Sequence, residues 1–263
     1  MPMSPDSLAR TDPPRMAEPL VLTETVQLEV SGDASMAAYV ARPDRIRPRG
    51  GVLVAMELFG VSAHTRDICE RLARLGYWAI APDLYHRVAP GVELASDEAG
   101  RARGFELLAT LTRAPVLADL AAASTAIDRE GIGLSGLVGL SVGGHVGFLA
   151  AAQLDLPTTV LCYPGWLPTT DIALSRPEPT LACSGAIRGR LLLLVGEKDP
   201  VVPPEHLTAI VAALQQARVE HELVEYPGVG HGFLCDRRLG YDAAAAEDAW
   251  RRIDRALAGR HAG

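Results

Sequence analysis

Short, unbroken apolar runs alternate with helix-forming segments along most of this chain, and that alternation restricts its fold more than any other feature. The runs lie at 51–56 (GVLVAM), 77–81, 133–140, 158–163, 190–195 (RLLLLV) and 219–226. Helical patterns are expected over about 63–75, ending at Gly76, and over 97–111, 116–129, 145–153, 205–217 and 242–258. A strand that is apolar on both faces must be covered on both. The pattern therefore predicts an α/β fold, a mostly parallel sheet flanked by helices. Ahead of it, 21–30 and 36–41 read as an antiparallel pair joined by SGDAS.

The 263 residues contain no internal repeat and no linker that would split them. One domain is expected over 20–263, with no large cap insertion. Residues 1–19 are proline-rich and lack a long apolar stretch, so they read as a disordered tail rather than a signal peptide or membrane span. A formal charge of −7 without a basic run argues against nucleic acid or an anionic membrane as partner. Cys69, Cys162, Cys183 and Cys235 lie far apart, with neither zinc-site nor disulfide spacing. The expected compartment is the cytoplasm, and neither a metal nor another cofactor is called for.

Residues 136–147 read GLVGLSVGGHVG, in which Gly139, Ser141 and Gly143 spell G-x-S-x-G. By chance alone such a pentapeptide is expected about 0.1 times in a chain with 25 glycines, so context must decide. The motif works where a strand turns sharply into a helix and lifts the serine hydroxyl clear. An apolar run precedes it and an alanine-rich segment follows. The setting fits a nucleophile.

Function collects at the carboxyl ends of strands in such sheets. Ser141 follows one strand, Asp199 in GEKDP follows RLLLLV, and His231 in PGVGHGF follows the last run. A serine hydroxyl needs an imidazole to take its proton, and the imidazole needs a carboxylate to hold its tautomer. Taken singly, Asp199 could start the helix near Pro203, and His231 could be an ordinary loop residue. Three types in the order Ser, Asp, His, each after its own strand, favour the catalytic reading. The chain is expected to hydrolyse an ester or lactone through an acyl-serine. The alternatives are a non-hydrolytic binding or cyclisation protein and an acyltransferase on the same fold.

The blocks MELFGVSAHTRDICERLARLGYWAIAPDLYHR (56–87), GLVGLSVGGHVGFLAA (136–151), GEKDPVVP (196–203) and YPGVGHGF with GYDAAAAEDAW (226–250) resemble the dienelactone hydrolase family of α/β-hydrolases. The resemblance implies Ser141 as nucleophile, Asp199 as acid, His231 as base, and the backbone N–H groups of Leu58 and Val142 as oxyanion hole. It implies a serine-nucleophile variant, because the namesake lactonases use cysteine. Glu57 matches the glutamate beside the family nucleophile, and Arg87 an arginine that holds a substrate carboxylate. With serine in place of cysteine, Glu57 could instead be a buried carboxylate bonded to arginines. Arg87, likewise, could pair with an internal carboxylate.

Tyr85, in the P-D-L-Y block, is counted with the substrate-binding residues, and Arg237 or Arg238 is the candidate second arginine. The connection 164–190 is either a pocket wall, with Trp166 and Leu167 as its apolar members, or a surface excursion. The oligomeric state has no signature in the sequence.

Overall fold

Three of the runs that read as doubly covered strands are buried along their whole length, and the last, at the sheet edge, is mostly only partly buried. β3 (Gly51–Ala55), β4 (Trp78–Pro82) and β6 (Thr158–Cys162) have every residue buried. In the computed structural model, which describes residues 20–31 and 35–259, they join β1 (Val21–Leu28), β2 (Met36–Pro43), β5 (Leu134–Leu140), β7 (Arg190–Gly196) and β8 (His221–Tyr226). The eight form one sheet in the order β1-β2-β4-β3-β5-β6-β7-β8. β1 and β2 pair antiparallel, β2 runs antiparallel to β4, and every pairing from β4 to β8 is parallel. The expected tail, 1–19, and part of the β1–β2 connection lie outside the described residues.

Alternate residues of one strand feed opposite layers, as the pleat demands. Val52 and Val54 of β3 pack into one apolar layer with α1 (Ala63–Arg74) and α6 (Ala243–Leu257), whereas Leu53 and Ala55 face the other. α1 turns Ile68, Cys69 and Leu72 inward, and α6 does the same with Ala249, Trp250 and Ile253. The second face carries α3 (Arg113–Arg129), α4 (Val142–Gln153) and α5 (Pro204–Ala217), with α2 (Glu98–Leu108) alongside. α4 is buried at every position but its last, so it needs no polar face.

Three boundaries differ from the sequence expectation by three residues, the others by no more than two. α3 begins at Arg113, three residues early, because Pro115 sits in its first turn, where a missing N–H costs nothing. α4 begins at Val142 rather than residue 145, since the chain reverses at Ser141 within a single residue. α2 stops at Leu108, short of 111. The 164–190 connection holds only two 3₁₀ stretches, Ala173–Ser175 and Thr180–Ala186, and no cap domain. Among the described residues no single helix is long and apolar enough to cross a membrane.

Candidate active site

Six parallel strands end on one side of the sheet, and the loops that leave five of them, β3, β5, β6, β7 and β8, supply the site. After β5 the chain turns through Ser141 at φ 54° and ψ −113°, a conformation a residue with a side chain seldom adopts. Its own N–H donates to the carbonyl of Cys162 at 2.9 Å, pinning the turn to the neighbouring strand. The flanking glycines are required by contact. A Cβ at Gly139 would strike the carbonyl of Gly143, and one at Gly143 would strike the carbonyls of Ala55 and Met56.

Asp199 follows β7 and is 2% exposed. Its Oδ1 accepts from the N–H of Val201 at 2.8 Å and of Val202 at 3.3 Å, which leaves Oδ2 aimed at His231 Nδ1, 2.8 Å away. It does not cap α5, whose N-cap is Pro203. A carboxylate can only accept, so Nδ1 carries the proton and Nε2 is the acceptor for Ser141 Oγ at 2.9 Å. The His231 ring rests edge-on against Tyr163, centroids 4.9 Å apart. Asp199, His231 and Ser141 thus form one continuous hydrogen-bonded relay.

Ser141 and His231 open into a cavity of about 510 Å³ also lined by Glu57, Leu58, Val142, Trp166, Arg237 and Arg238. Leu58 follows β3 and Val142 is the first residue of α4. Among the described residues neither backbone N–H donates to another protein group. Both residues line the cavity into which Ser141 opens.

Glu57 is buried, and Arg238 Nη2 donates to its Oε2 at 2.5 Å while Tyr163 donates to Oε1 at 3.4 Å. Burial alone would raise its pKa, but at the acidic pH where it would titrate the charges of protonated His64 and of the Arg238 guanidinium outweigh burial and hold the carboxyl below its usual range. Burial also depresses His64, which therefore stays neutral near pH 7 and leaves Arg238 as the counter-charge. Tyr163 is driven well above its usual pKa by burial and by Glu57, so it remains a donor. Glu57 is accordingly an ionised carboxylate neutralised by one arginine. Its partner is Arg238 and not Arg87.

Two expected substrate-binding residues lie elsewhere. Arg87 spans the carboxylate of Asp119 with two 2.8 Å hydrogen bonds, and His86 Nε2 sits 3.2 Å from the same group. Asp119 projects from α3 and is fully buried, so a bidentate guanidinium is the counter-charge its ionised form needs. Tyr85 is also buried, and its hydroxyl donates to the Leu58 carbonyl at 3.1 Å. It braces the Leu58 segment and does not line the cavity. Arg237 does line it, although its guanidinium is bound to Asp67 at 3.0 Å.

Trp166 lines the cavity, whereas Leu167 is buried behind it among side chains of β7 and α5; of 164–190 only Trp166 belongs to the wall, and much of the rest is exposed surface. Sequence reasoning missed Tyr163, Asp119 and the α2 residues Arg101 and Phe105 that also line the cavity. Tyr163 carried a usable signal: it ends a strand adjacent to the one that leads into the serine turn. Asp119 gave none, since a lone acid in a helical pattern reads as solvated.

The family profile described as "Dienelactone hydrolase family" matches residues 36–258. A Synechocystis protein provisionally named a carboxymethylenebutenolidase is 36% identical over 228 residues, covering 83% of this chain and 89% of its own. An Escherichia coli protein of the same provisional name is 36% identical over 222 residues, covering 83% and 80%. Among solved structures, a Klebsiella pneumoniae protein assigned as a dienelactone hydrolase superposes with a TM-score of 0.81 at 31% identity, covering 92% of this chain and 100% of its own. A cold-adapted esterase from an Arctic intertidal metagenomic library shares the fold, with a TM-score of 0.62 at 21% identity over 90% of this chain and 96% of its own.

Proposed function

The chain belongs to the dienelactone hydrolase family and is a hydrolase of small-molecule esters or lactones; we propose that it works through an acyl-enzyme on Ser141, with His231 as general base and Asp199 as its orienting acid. The observation that carries this reading is the relay itself, with links of 2.8 and 2.9 Å, opening beside two free backbone donors.

Ser141 Oγ attacks the substrate carbonyl carbon while His231 Nε2 takes its proton. The carbonyl oxygen becomes an oxyanion between the N–H groups of Leu58 and Val142, and each such donor contributes on the order of 3 kcal/mol where it has been measured. Asp199, anchored by two backbone N–H groups, keeps the imidazole in the acceptor tautomer and stabilises the imidazolium. Collapse expels the alkoxide, which takes the proton from His231. In a lactone that alcohol stays tethered to the acyl group. Water then attacks the acyl-serine with His231 again as base, releasing the acid and restoring Ser141.

In this reading Glu57 does not touch the serine. Its negative charge is matched by Arg238, and the pair joins the segment bearing Leu58 to the loop that follows His231. We further read 20–263 as one catalytic domain, supported by the single sheet. A reducing compartment, the cytoplasm, is supported by four free thiols, of which Cys69, Cys162 and Cys235 are buried.

A panel of small esters and lactones assayed on the wild type and on Ser141→Ala tests the proposal. Turnover by the wild type alone is the expected result. Equal turnover by both proteins overturns it.

A further inference from the structure

Five non-glycine residues among those described hold a positive φ: Arg45, Ser141, Tyr163, Trp166 and Arg218. Arg45 lies in an exposed bend and Arg218 ends α5 in a left-handed cap, both ordinary uses. The other three surround the candidate site. A bulky aromatic at φ 60° is a strained residue, and it persists only where its surroundings over-determine it.

Trp166 is held in that way. Its carbonyl accepts from Ser175 Oγ and from the Thr169 N–H, each at 3.3 Å. The preceding carbonyl, of Gly165, accepts from His145 Nδ1 at 2.8 Å, and Thr180 Oγ1 donates to Nε2 of the same ring at 2.8 Å. His145 is fully buried on α4, one turn beyond Ser141. The helix that carries the nucleophile therefore also fixes the turn that carries the tryptophan.

That turn sets the indole at the cavity wall. Its ring meets Phe105 of α2 edge-on, with centroids 6.3 Å apart and planes at 87°. Phe105 is 45% exposed, and Leu239, fully exposed, lies on the same cavity lining. Exposed large apolar side chains gathered at one mouth mark a surface kept for an apolar ligand. Two of the cationic groups there, Arg237 and Arg238, are already bound to Asp67 and Glu57.

We propose that Trp166 and Phe105, with Leu239 at the rim, are the specificity-determining wall of this site, and that its substrate is an ester or lactone bearing an aryl group. His145 is a positioning residue that acts through the Gly165 turn. The inference rests on the hydrolase reading above and names the substrate class of that same site.

The test compares ethyl acetate with ethyl phenylacetate and benzyl acetate, which carry the aryl group on the acyl and alcohol sides, followed by pH-stat. Wild type should favour at least one aryl ester by about tenfold or more in kcat/KM, the scale that hydrophobic pocket contacts supply. Phe105→Ala and Trp166→Ala should each reduce that preference several-fold, chiefly through KM. Phe105 is exposed enough that its truncation leaves the fold intact, so it carries the test even where Trp166→Ala fails to fold. No aryl preference in the wild type, or equal losses on all three esters, overturns the proposal. Ser141→Ala separates the two claims. Undiminished turnover in that variant would defeat the hydrolase mechanism, whereas a wild type active but indifferent to the aryl group would defeat only the wall.

Discussion

Gly104, on the buried side of α2, offers a direct probe of the oxyanion segment. An ideal Cβ there would lie 2.6 Å from Leu58 Cγ, 3.0 Å from its Cδ2 and 3.1 Å from its carbonyl oxygen. Carbon atoms in contact prefer roughly 3.5–4 Å, so Gly104→Ala demands a shift of about 1 Å from Leu58. The carbonyl cannot drift freely, because Tyr85 holds it at 3.1 Å from the other side. Alanine gains up to about 1 kcal/mol over glycine within a helix, and overpacking costs about 1–3 kcal/mol. The net cost is up to about 2 kcal/mol, a fall in Tm of up to roughly 4–8 °C.

Activity should respond far more than stability. Full loss of an oxyanion donor costs about 10²–10³ in kcat, and a partial displacement of the Leu58 N–H should cost about ten- to a hundredfold with little change in KM. Steady-state kinetics on one reactive ester, alongside thermal unfolding, measures both. A kcat within twofold of wild type in a variant whose lowered Tm shows that the methyl group does press on Leu58 would refute the assignment of Leu58 as a donor.

Other outcomes follow from the same contacts. Asp199→Asn should lower kcat by about 10⁴, since an amide can present its NH₂ to Nδ1 and stabilise the wrong tautomer, and stopped-flow or steady-state rates near wild type would move the acid elsewhere. Arg87→Ala should destabilise the protein by about 3 kcal/mol in urea unfolding by stranding buried Asp119, and should affect neutral and carboxylate-bearing esters alike; selective loss on the carboxylate-bearing ones would return Arg87 to substrate recognition. Burial depresses His145 to about 4, so between pH 4 and 6.5 the unfolded chain takes up a proton that the native state refuses. Stability therefore rises with pH through that window, by roughly 3 kcal/mol, and a difference between wild type and His145→Gln that does not vary with pH would contradict it.

The sheet and the relay were legible because each rests on local chemistry. Runs such as RLLLLV can be satisfied only by cover on both faces, and Gly139 and Gly143 flank a serine whose turn tolerates no Cβ beside it. What the sequence concealed is set by long-range partners. Arg87 and Arg238 are identical side chains, and only the fold brings one to Asp119 and the other to Glu57, across 32 and 181 residues of chain. Trp166 was legible as a candidate wall residue, yet neither its left-handed backbone nor its contact with Phe105 has a sequence signature. The start of α4 was misread for the opposite reason. Gly143 and Gly144 look like helix breakers, and here they are the first turn of the helix because nothing larger fits against β3 and Pro164.

The central claim is that Ser141 carries the acyl group. Rapid acid quench of the enzyme with a p-nitrophenyl ester, followed by intact-mass and peptide analysis, tests it most directly. The expected result is a mass gain equal to the acyl group on the peptide containing Ser141, matched by a burst of p-nitrophenol of about one equivalent and absent from Ser141→Ala. An acyl adduct on another residue, or hydrolysis at the wild-type rate by Ser141→Ala, would contradict the account.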